Sequence, residues 1–241
     1  MLIKTRAIVL HSIKFGESQY IVDMFVEETG RVAFIQKVLP SGRGKIRKQL
    51  FQPLSLLDIE FDLRSKVRLQ RLKEARLLVP YATIPFDPYK LSLTIFVAEF
   101  LLHVTRNEQQ NKPLFEYVAA SLQWLDGCER SFSNFHLVFM MRLSLFVGFF
   151  PNLDTAGDGV FFDFRAGCFV RQQPLHPDFL PPADAARLRV LMRMTFDNMH
   201  LFAMSRVERN LCVDFILKYY RLHFPDFPEM KSLDVMKSLF A

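Results

Sequence analysis

Catalytic signatures are missing from this chain of 241 residues. It has no G-x-x-x-x-G-K-[ST] phosphate loop, no G-x-S-x-G turn and no H-E-x-x-H helix. Their absence removes the nucleotide-hydrolysing, esterase-like and zincin chemistries that those spacings support. The histidines, at 11, 103, 136, 176, 200 and 223, never stand four residues apart, so no helix face offers a paired imidazole site. His136, inside an apolar helix, reads as a core residue rather than a ligand. Cysteine is scarce: Cys128, Cys168 and Cys212 lie far apart and form no C-x-x-C, which excludes a disulfide framework and points to buried thiols in a reducing compartment. The N-terminus lacks a cationic segment followed by a long apolar one, and later apolar stretches are broken by Glu99 and Arg142. No run approaches the roughly 20 residues that cross a bilayer. The expectation is a cytoplasmic protein with no membrane segment, no metal and no cofactor. Neither an internal repeat nor a low-complexity tract is present.

What the chain does have is apolar material and an uneven charge. Half of its residues are hydrophobic, 26 of them Phe, enough for one large core or two ordinary ones. The net charge is +6. Residues 1–80 carry 15 Lys/Arg against 8 Asp/Glu, and the remainder is close to neutral. All of the excess positive charge therefore falls in the first third, as expected where one module faces a polyanion.

That first third reads as strands. Leu2 to Phe15 is rich in β-branched residues, with Ile3, Ala7, Val9 and Ile13 on one parity and Ile8 and Leu10 on the other, a strand buried on both faces for part of its length. Turns at Gly16–Gln19 and Glu27–Gly30 separate it from strands at Tyr20–Val26 and Arg31–Leu39, with Gly30 as the left-handed turn residue. In Leu54–Leu63 the residues Leu57, Ile59, Phe61 and Leu63 share one face, and Asp58, Glu60 and Asp62 the other. A last strand, Val67–Val79, brings Arg68, Arg71, Lys73 and Arg76 within reach of those carboxylates as cross-strand pairs. Five strands in about 75 residues, with a longer gap after the third, match the five-stranded Greek-key barrel of the OB-fold. Phe15, Tyr20, Phe25, Phe34 and Phe51 are candidate stacking platforms for bases. Most of them are needed to fill a small barrel, so one or two should face solvent.

The gap holds the most informative stretch, Pro40-Ser-Gly-Arg-Gly-Lys-Ile-Arg-Lys-Gln49. Arg43, Lys45, Arg47 and Lys48, loosened by Gly42 and Gly44 and diluted by no acid, form a cationic arm suited to phosphates whose counterions are released on contact. Lys37, Arg68 and Arg71 extend this candidate DNA-binding set. The carboxylates Asp58, Glu60 and Asp62 share a strand face and would suit Mg²⁺ in a nuclease, but pairing with the adjacent cations is the simpler expectation. An RNA-binding barrel is a further alternative, since recognition of a 2′-OH is not legible in residues.

Pro80–Pro88 holds three prolines and marks an expected boundary between an OB-fold domain at 1–80 and a helical domain at 81–241. Beyond it the period lengthens to 3.6. Asp87 is the expected N-cap of a helix opening at Pro88, with a stripe of Leu91, Ile95, Ala98, Leu102 and Thr105. A second helix runs from about Pro113 to Asp126. The third, from about Asn134 to Phe149, is apolar on nearly every side, as the central helix of a bundle is. Phe161–Phe164 and Cys168–Arg171 read as a short hairpin, and a helix follows Pro181-Pro182. Ser205-Arg-Val-Glu208 is a capping box that opens a last helix with Val207, Leu211, Phe215 and Leu217 inward, and Arg206 and Arg209 off the stripe. The fold class expected is thus α+β: an OB-fold barrel followed by a helical domain with a small hairpin insertion.

The whole chain resembles the RecO family of bacterial recombination mediators. The resemblance rests on Ala7–Leu10 followed by Phe15-Gly-Glu17, on Gly30-Arg-Val32, the basic loop and Gln52-Pro53. It continues through Leu143-x-Leu-Phe-x-Gly-Phe-x-Pro151, Phe162-Asp163 and Lys231-Ser-Leu233-x-Val-Met236. It implies a non-enzymatic protein of the RecF pathway that binds single- and double-stranded DNA, anneals complementary strands and works with RecR to place RecA on strands coated by single-strand binding protein (SSB). It also implies a nucleoid-associated location. SSB ends in an acidic, phenylalanine-tipped tail, whose expected receptor is an apolar groove edged by Arg142, Arg206 or Arg209. Many relatives carry a four-cysteine zinc site after the Gly-Phe-x-Pro segment. Here that region offers only Cys168, with Asp163 and His176 as the nearest substitutes, so the hairpin is expected to be held by its phenylalanines.

Overall fold

The computed structural model describes residues 1–38, 46–224 and 226–239. Two compact units result: Met1–Gly127 with Met230–Met236, and Cys128–Glu229 with Lys237–Ala241. In the first, the strands are β1 (Leu2–Phe15), β2 (Gln19–Val26), β3 (Gly30–Lys37), β4 (Leu56–Asp62), β5 (Leu69–Gln70) and β6 (Leu72–Leu77). They form one sheet in the order β5-β3-β2-β1-β4-β6. The sequence predicts a single fifth strand; Arg71 splits it in two. The first piece runs parallel to β3 and the second antiparallel to β4, so one continuous stretch meets both edges and closes the sheet in the manner of an OB barrel. In the interval where such barrels carry a helix, the described residues hold a 3-10 turn, Lys48–Phe51.

Alternation fills the barrel. Ala7, Val9, Val22, Met24, Phe34, Leu57, Ile59, Phe61 and Leu72 form its core, with Phe34 edge-on to Phe61 at 5.1 Å between centroids. A bulge between Val9 and His11 changes which parity of β1 faces inward. Beyond it Ser12 and Lys14 pair with Val22 and Tyr20, and Ile13 faces out, 46% exposed. The expectation that Ile13 shares a face with Ala7 and Val9 is corrected by that extra residue.

Two helices, α1 (Pro88–Val104) and α2 (Lys112–Gly127), complete the first unit. Asp87 caps α1 by accepting from the backbone N–H groups of Tyr89 and Lys90. The face that α1 buries is Leu93, Phe96, Val97, Phe100, Leu101 and Val104, while Leu91 and Ile95 are about half exposed. The expected stripe is thus half right, since Ala98 and Thr105 are buried but Leu91 and Ile95 are not: apolar residues stand on more than one side of this helix, which blurs the period. The helices lie against the outer side of the sheet. Phe25 and Phe115 meet at 5.9 Å, Arg6 bonds Glu27 at 2.6 and 2.8 Å and also reaches Glu116, and Arg31 donates to the carbonyl of Leu102.

In the second unit are α3 (Phe135–Phe146), β7 (Phe161–Asp163), β8 (Cys168–Val170), β9 (Phe179–Leu180), α4 (Pro182–Arg193) and α5 (Arg206–His223); α6 (Leu233–Ser238) begins in the segment Met230–Met236 of the first unit. Helix α3 buries every residue from Phe135 to Met141, and the buried Tyr220 hydroxyl donates to the carbonyl of Met140. The expected hairpin gains a third strand, in the order β8-β7-β9. Phe162 packs edge-on against Phe169 and Phe164, at 5.0 and 5.5 Å. The capping box at Ser205 and Glu208 opens α5 as the sequence predicts. No helix among the described residues is long and apolar enough to cross a membrane.

Candidate nucleic-acid interface

The barrel surface is cationic, and its cations fall into two classes. On the side formed by the first half of β1 with β4 and β6, they are matched. Lys4 pairs with Glu60 at 3.0 Å, Arg76 with Asp58 at 3.1 Å and Lys73 with Asp62 at 2.8 Å. Lys73 holds the Asp62 carboxylate below its ordinary range, and Arg6 does the same to Glu27. Asp58, Glu60 and Asp62, the candidate Mg²⁺ face, are thus each engaged by a cation, the arrangement that cross-strand register favours.

Arg31 of β3 is matched too, by Asp23 at 3.0 Å, but the cations at the end of β3, around the 3-10 turn and in the stretch from β4 to β6 before Lys73 are of the other kind. Lys37, Arg47, Lys48, Arg68 and Arg71 are all exposed, and none pairs with an acidic side chain among the described residues. Lys48 instead places its ammonium 5.7 Å from the centre of the Tyr20 ring. Arg43 and Lys45, the other arm cations, lie outside the described residues. Lys14, Arg64 and Lys66 share the same exposure, with Asp62 within electrostatic reach of Arg64, and sequence reasoning left them off the candidate set. The signal for Lys14 was its place beside Phe15 at the end of β1, and for Arg64 and Lys66 their position in a tight turn.

That turn is built, not loose. The amide of Gln70, buried in the barrel, donates to the carbonyls of Arg64 and Val67 at 3.0 and 2.6 Å and accepts from the N–H of Arg64 at 3.1 Å. Three bonds from one side chain fix the backbone on which Arg64, Lys66 and Arg68 stand, so these cations are presented with little ordering left to do. A hollow of about 150 Å³ beside it is lined by Arg64, Arg71 and Lys73 together with Asp62.

Of the five barrel aromatics, Phe25, Phe34 and Phe51 are buried, Phe15 is 52% exposed and Tyr20 is partly covered. The opposite end of the same sheet is closed off. At Gly30, with φ +75°, a Cβ would come within 2.3 Å of the Glu108 carbonyl, and the Arg31 N–H donates to that carbonyl at 3.0 Å. At the end bearing Lys14, Phe15 and Lys37, those three residues are exposed among the described residues.

The candidate partner-binding arginines are engaged inside the second unit. Arg142 donates through Nε to the carbonyl of Met194 at 3.2 Å, and Arg206 through Nε to that of Lys237 at 3.1 Å. Arg209, expected off the apolar stripe, is 9% exposed and donates to the carbonyl of Met204; burial lowers its pKa. Arg206 is exposed and adjoins Val207, itself 77% exposed. Around the hairpin, Asp163 accepts from the N–H groups of Arg165 and Ala166 and meets His176 at 3.3 Å. No group of three or more His, Cys, Asp or Glu side chains suited to a metal occurs among the described residues.

Comparison with known proteins identifies the family. Residues 1–81 match the family model described as Recombination protein O N terminal, and residues 85–233 the one described as Recombination protein O C terminal. A protein of Phocaeicola vulgatus named DNA repair protein RecO is 50% identical over 241 residues, covering all of both chains. Proteins of the same name from Bacteroides fragilis and Flavobacterium psychrophilum are 48% and 30% identical, again over the full length of each.

Proposed function

The chain belongs to the RecO family of DNA repair proteins, and from that premise we propose that it is a non-enzymatic recombination mediator. It binds single- and double-stranded DNA through the barrel and anneals complementary strands. With RecR it places RecA on SSB-coated strands in the RecF pathway, in the nucleoid-bearing cytoplasm. The observation that carries this reading is the split between matched and unmatched cations. Ion pairs on the β4–β6 side serve the sheet, whereas Lys37, Arg47, Lys48, Arg68 and Arg71 pair with no acidic side chain among the described residues and suit a phosphate backbone. The helical part is the proposed seat of the protein partners RecR and the SSB tail. The exposed Arg206 beside Val207 supports an acidic, apolar-tipped peptide there better than the buried Arg209 does.

The test replaces Arg43, Lys45, Arg47 and Lys48 together with alanine. Affinity for single-stranded DNA should fall, and the slope of log affinity against log salt should become shallower by about 3, at about 0.7 per lost phosphate contact. The melting temperature should not change, because the exposed Arg47 and Lys48 contribute nothing to the core. Annealing of SSB-coated strands, measured with and without RecR, should fall in parallel. Unchanged affinity and slope would reduce the arm to a solubility device, and a preference for RNA over DNA in competition would redirect the reading to an RNA-binding barrel.

A further inference from the structure

Leu54 occupies a backbone conformation that leucine rarely adopts. Its φ is +59°, in the left-handed region that a Cβ disfavours and that glycine or asparagine normally fills. It is also 0% exposed. The Ser55 N–H donates to the Gln52 carbonyl at 3.1 Å, so Gln52-Pro53-Leu54-Ser55 has the make-up of a type II turn, with proline second and the left-handed residue third. Strain of this kind persists only where the surroundings over-determine it, and such places cluster at functional sites. This turn lies between the 3-10 turn Lys48–Phe51 and β4, at the foot of the segment that carries Arg47 and Lys48.

Its neighbours hold it from both sides. The Leu54 N–H donates to the carbonyl of Val9 at 2.7 Å, where β1 bulges. The Leu54 carbonyl accepts from the Tyr81 hydroxyl at 2.9 Å, and the Ser12 hydroxyl donates to the Phe51 carbonyl at 2.9 Å. Register brings Tyr81 to this place: β6 runs antiparallel to β4, and beyond it the Leu78 N–H donates to the Leu56 carbonyl at 2.9 Å. The N–H groups of Ala82, Thr83 and Ile84 are bound by Asp126 of α2, so the donor stands on backbone that is fixed in turn. Burial, and after it the nearby Asp126, raises the pKa of Tyr81, which keeps on the hydroxyl the proton that the bond needs. The core side chains Ile46 and Phe51 hold the 3-10 turn down on the barrel; its rotation about them is left to the two hydroxyls.

We infer that Tyr81, with Ser12, is a positioning residue of the candidate interface: by holding the carbonyls of Leu54 and Phe51, the two hydroxyls fix the direction in which Arg47 and Lys48 stand out toward a phosphate backbone. This rests on the DNA-binding reading above and adds to it a residue that carries no charge and lies beyond the last strand of the barrel. A cation on a pre-set backbone loses less freedom when it meets a phosphate, and the difference shows as affinity. Without the hydroxyls the left-handed turn relaxes toward an unstrained conformation, and both cations move with it. The boundary segment thereby serves the interface: α2 holds residues 82–84, these hold Tyr81, and Tyr81 holds the turn.

The test is a double-mutant cycle in the full chain, measured as affinity for single-stranded DNA. Tyr81→Phe removes one oxygen and no charge. It should weaken binding about fivefold and make the slope of log affinity against log salt shallower, by up to about 1.4 for two phosphate contacts at about 0.7 each. In an Arg47→Ala/Lys48→Ala background the same change should leave affinity as it was, because the cations it positions are gone. In an Arg68→Ala/Arg71→Ala background the loss should persist in full. A general weakening of the fold would act alike in both backgrounds, so equal losses in the two, or no loss from Tyr81→Phe alone, would overturn the inference. Should Tyr81→Phe lack the thermal transition of a folded protein, Ser12→Ala carries the same cycle, with the same expected pattern and the same overturning results. The parent reading is separable: if the four-residue arm variant leaves affinity unchanged, that reading falls and this inference with it. If the arm variant weakens binding while the cycle is additive, only the positioning role is wrong.

Discussion

Asp126 accepts the backbone N–H groups of Ala82, Thr83 and Ile84 at 2.8, 2.8 and 2.9 Å. One carboxylate at the end of α2 therefore fixes the path of the chain between the sheet and α1. Lys90, 2% exposed, donates to the Thr83 hydroxyl and to the Asp126 carbonyl, which keeps its buried ammonium supplied with acceptors. Burial alone would raise the pKa of Asp126, but its hydrogen bonds outweigh burial and the net shift is downward. Glu99 follows the same balance, with the N–H groups of Lys231 and Ser232 at 2.8 Å. For such a lowered carboxylate, the stability is present above the unfolded pKa of about 4 and is lost as pH falls through the folded value. Asp126→Ala should accordingly cost roughly 1–3 kcal/mol at neutral pH. Denaturant titrations should show the gap between variant and wild type narrowing below about pH 4; a gap independent of pH would mean that the ionised form is not what matters.

At the scale of elements, the β2–β3 hairpin shows how a turn positions a surface. Its Gly30 is left-handed and sits where any side chain would strike the Glu108 carbonyl and the backbone of Gln109. Gly30→Ala should destabilise the protein by roughly 2–3 kcal/mol, from the left-handed penalty and the clash together. The measurement is the denaturant midpoint, and a loss under about 0.5 kcal/mol would show that the loop at 108–109 yields freely. Elements of this kind were legible to different degrees. In β4, alternation was complete because one face is charged, and the turn at Gly30 was legible because a glycine closes the polar stretch Glu27–Gly30. In α1 the buried side was only half legible, since apolar residues on more than one side blur the period. The two-residue β9 is too short for any pattern, and the bulge in β1 reversed the parity of Ile13 and Phe15 without a glycine or proline to announce it. The candidate site was legible as composition but not as pairing. Arg68, Arg71, Lys73 and Arg76 look alike in sequence, and only the register that sets Asp58 against Arg76 separates matched cations from unmatched ones. Arg209 was misjudged because helical spacing does not reveal which flank of α5 receives a neighbour.

For the molecule as a whole, the point where the pattern changes and the point where packing divides are different places. The period lengthens at Pro80, and the family models meet between residues 81 and 85, yet α1 and α2 belong to the same compact unit as the sheet. The reason lies on the outer side of the meander. Ile8, Leu10 and Phe25 are at most 2% exposed but are not part of the barrel core; helix α1 packs along β1, and Phe115 of α2 covers Phe25. A fragment cut at residue 80 would return those three side chains to water, at about 1.5–3 kcal/mol each. That loss is comparable to the whole stability of an ordinary domain, about 5–15 kcal/mol. It would also strip Glu116 from Arg6 and the helix carbonyl from Arg31. The isolated fragment 1–80 should therefore unfold far below the full chain or bind an apolar dye, even though it contains every cation of the proposed interface. A fragment 1–127 should recover most of the cooperative transition. If 1–80 melts as sharply and as high as 1–127, the helices are not structural cover for the barrel. In the expected case, loss of DNA binding in a fragment cut at 80 reports loss of fold, and the location of the interface has to be read from surface substitutions in the intact protein.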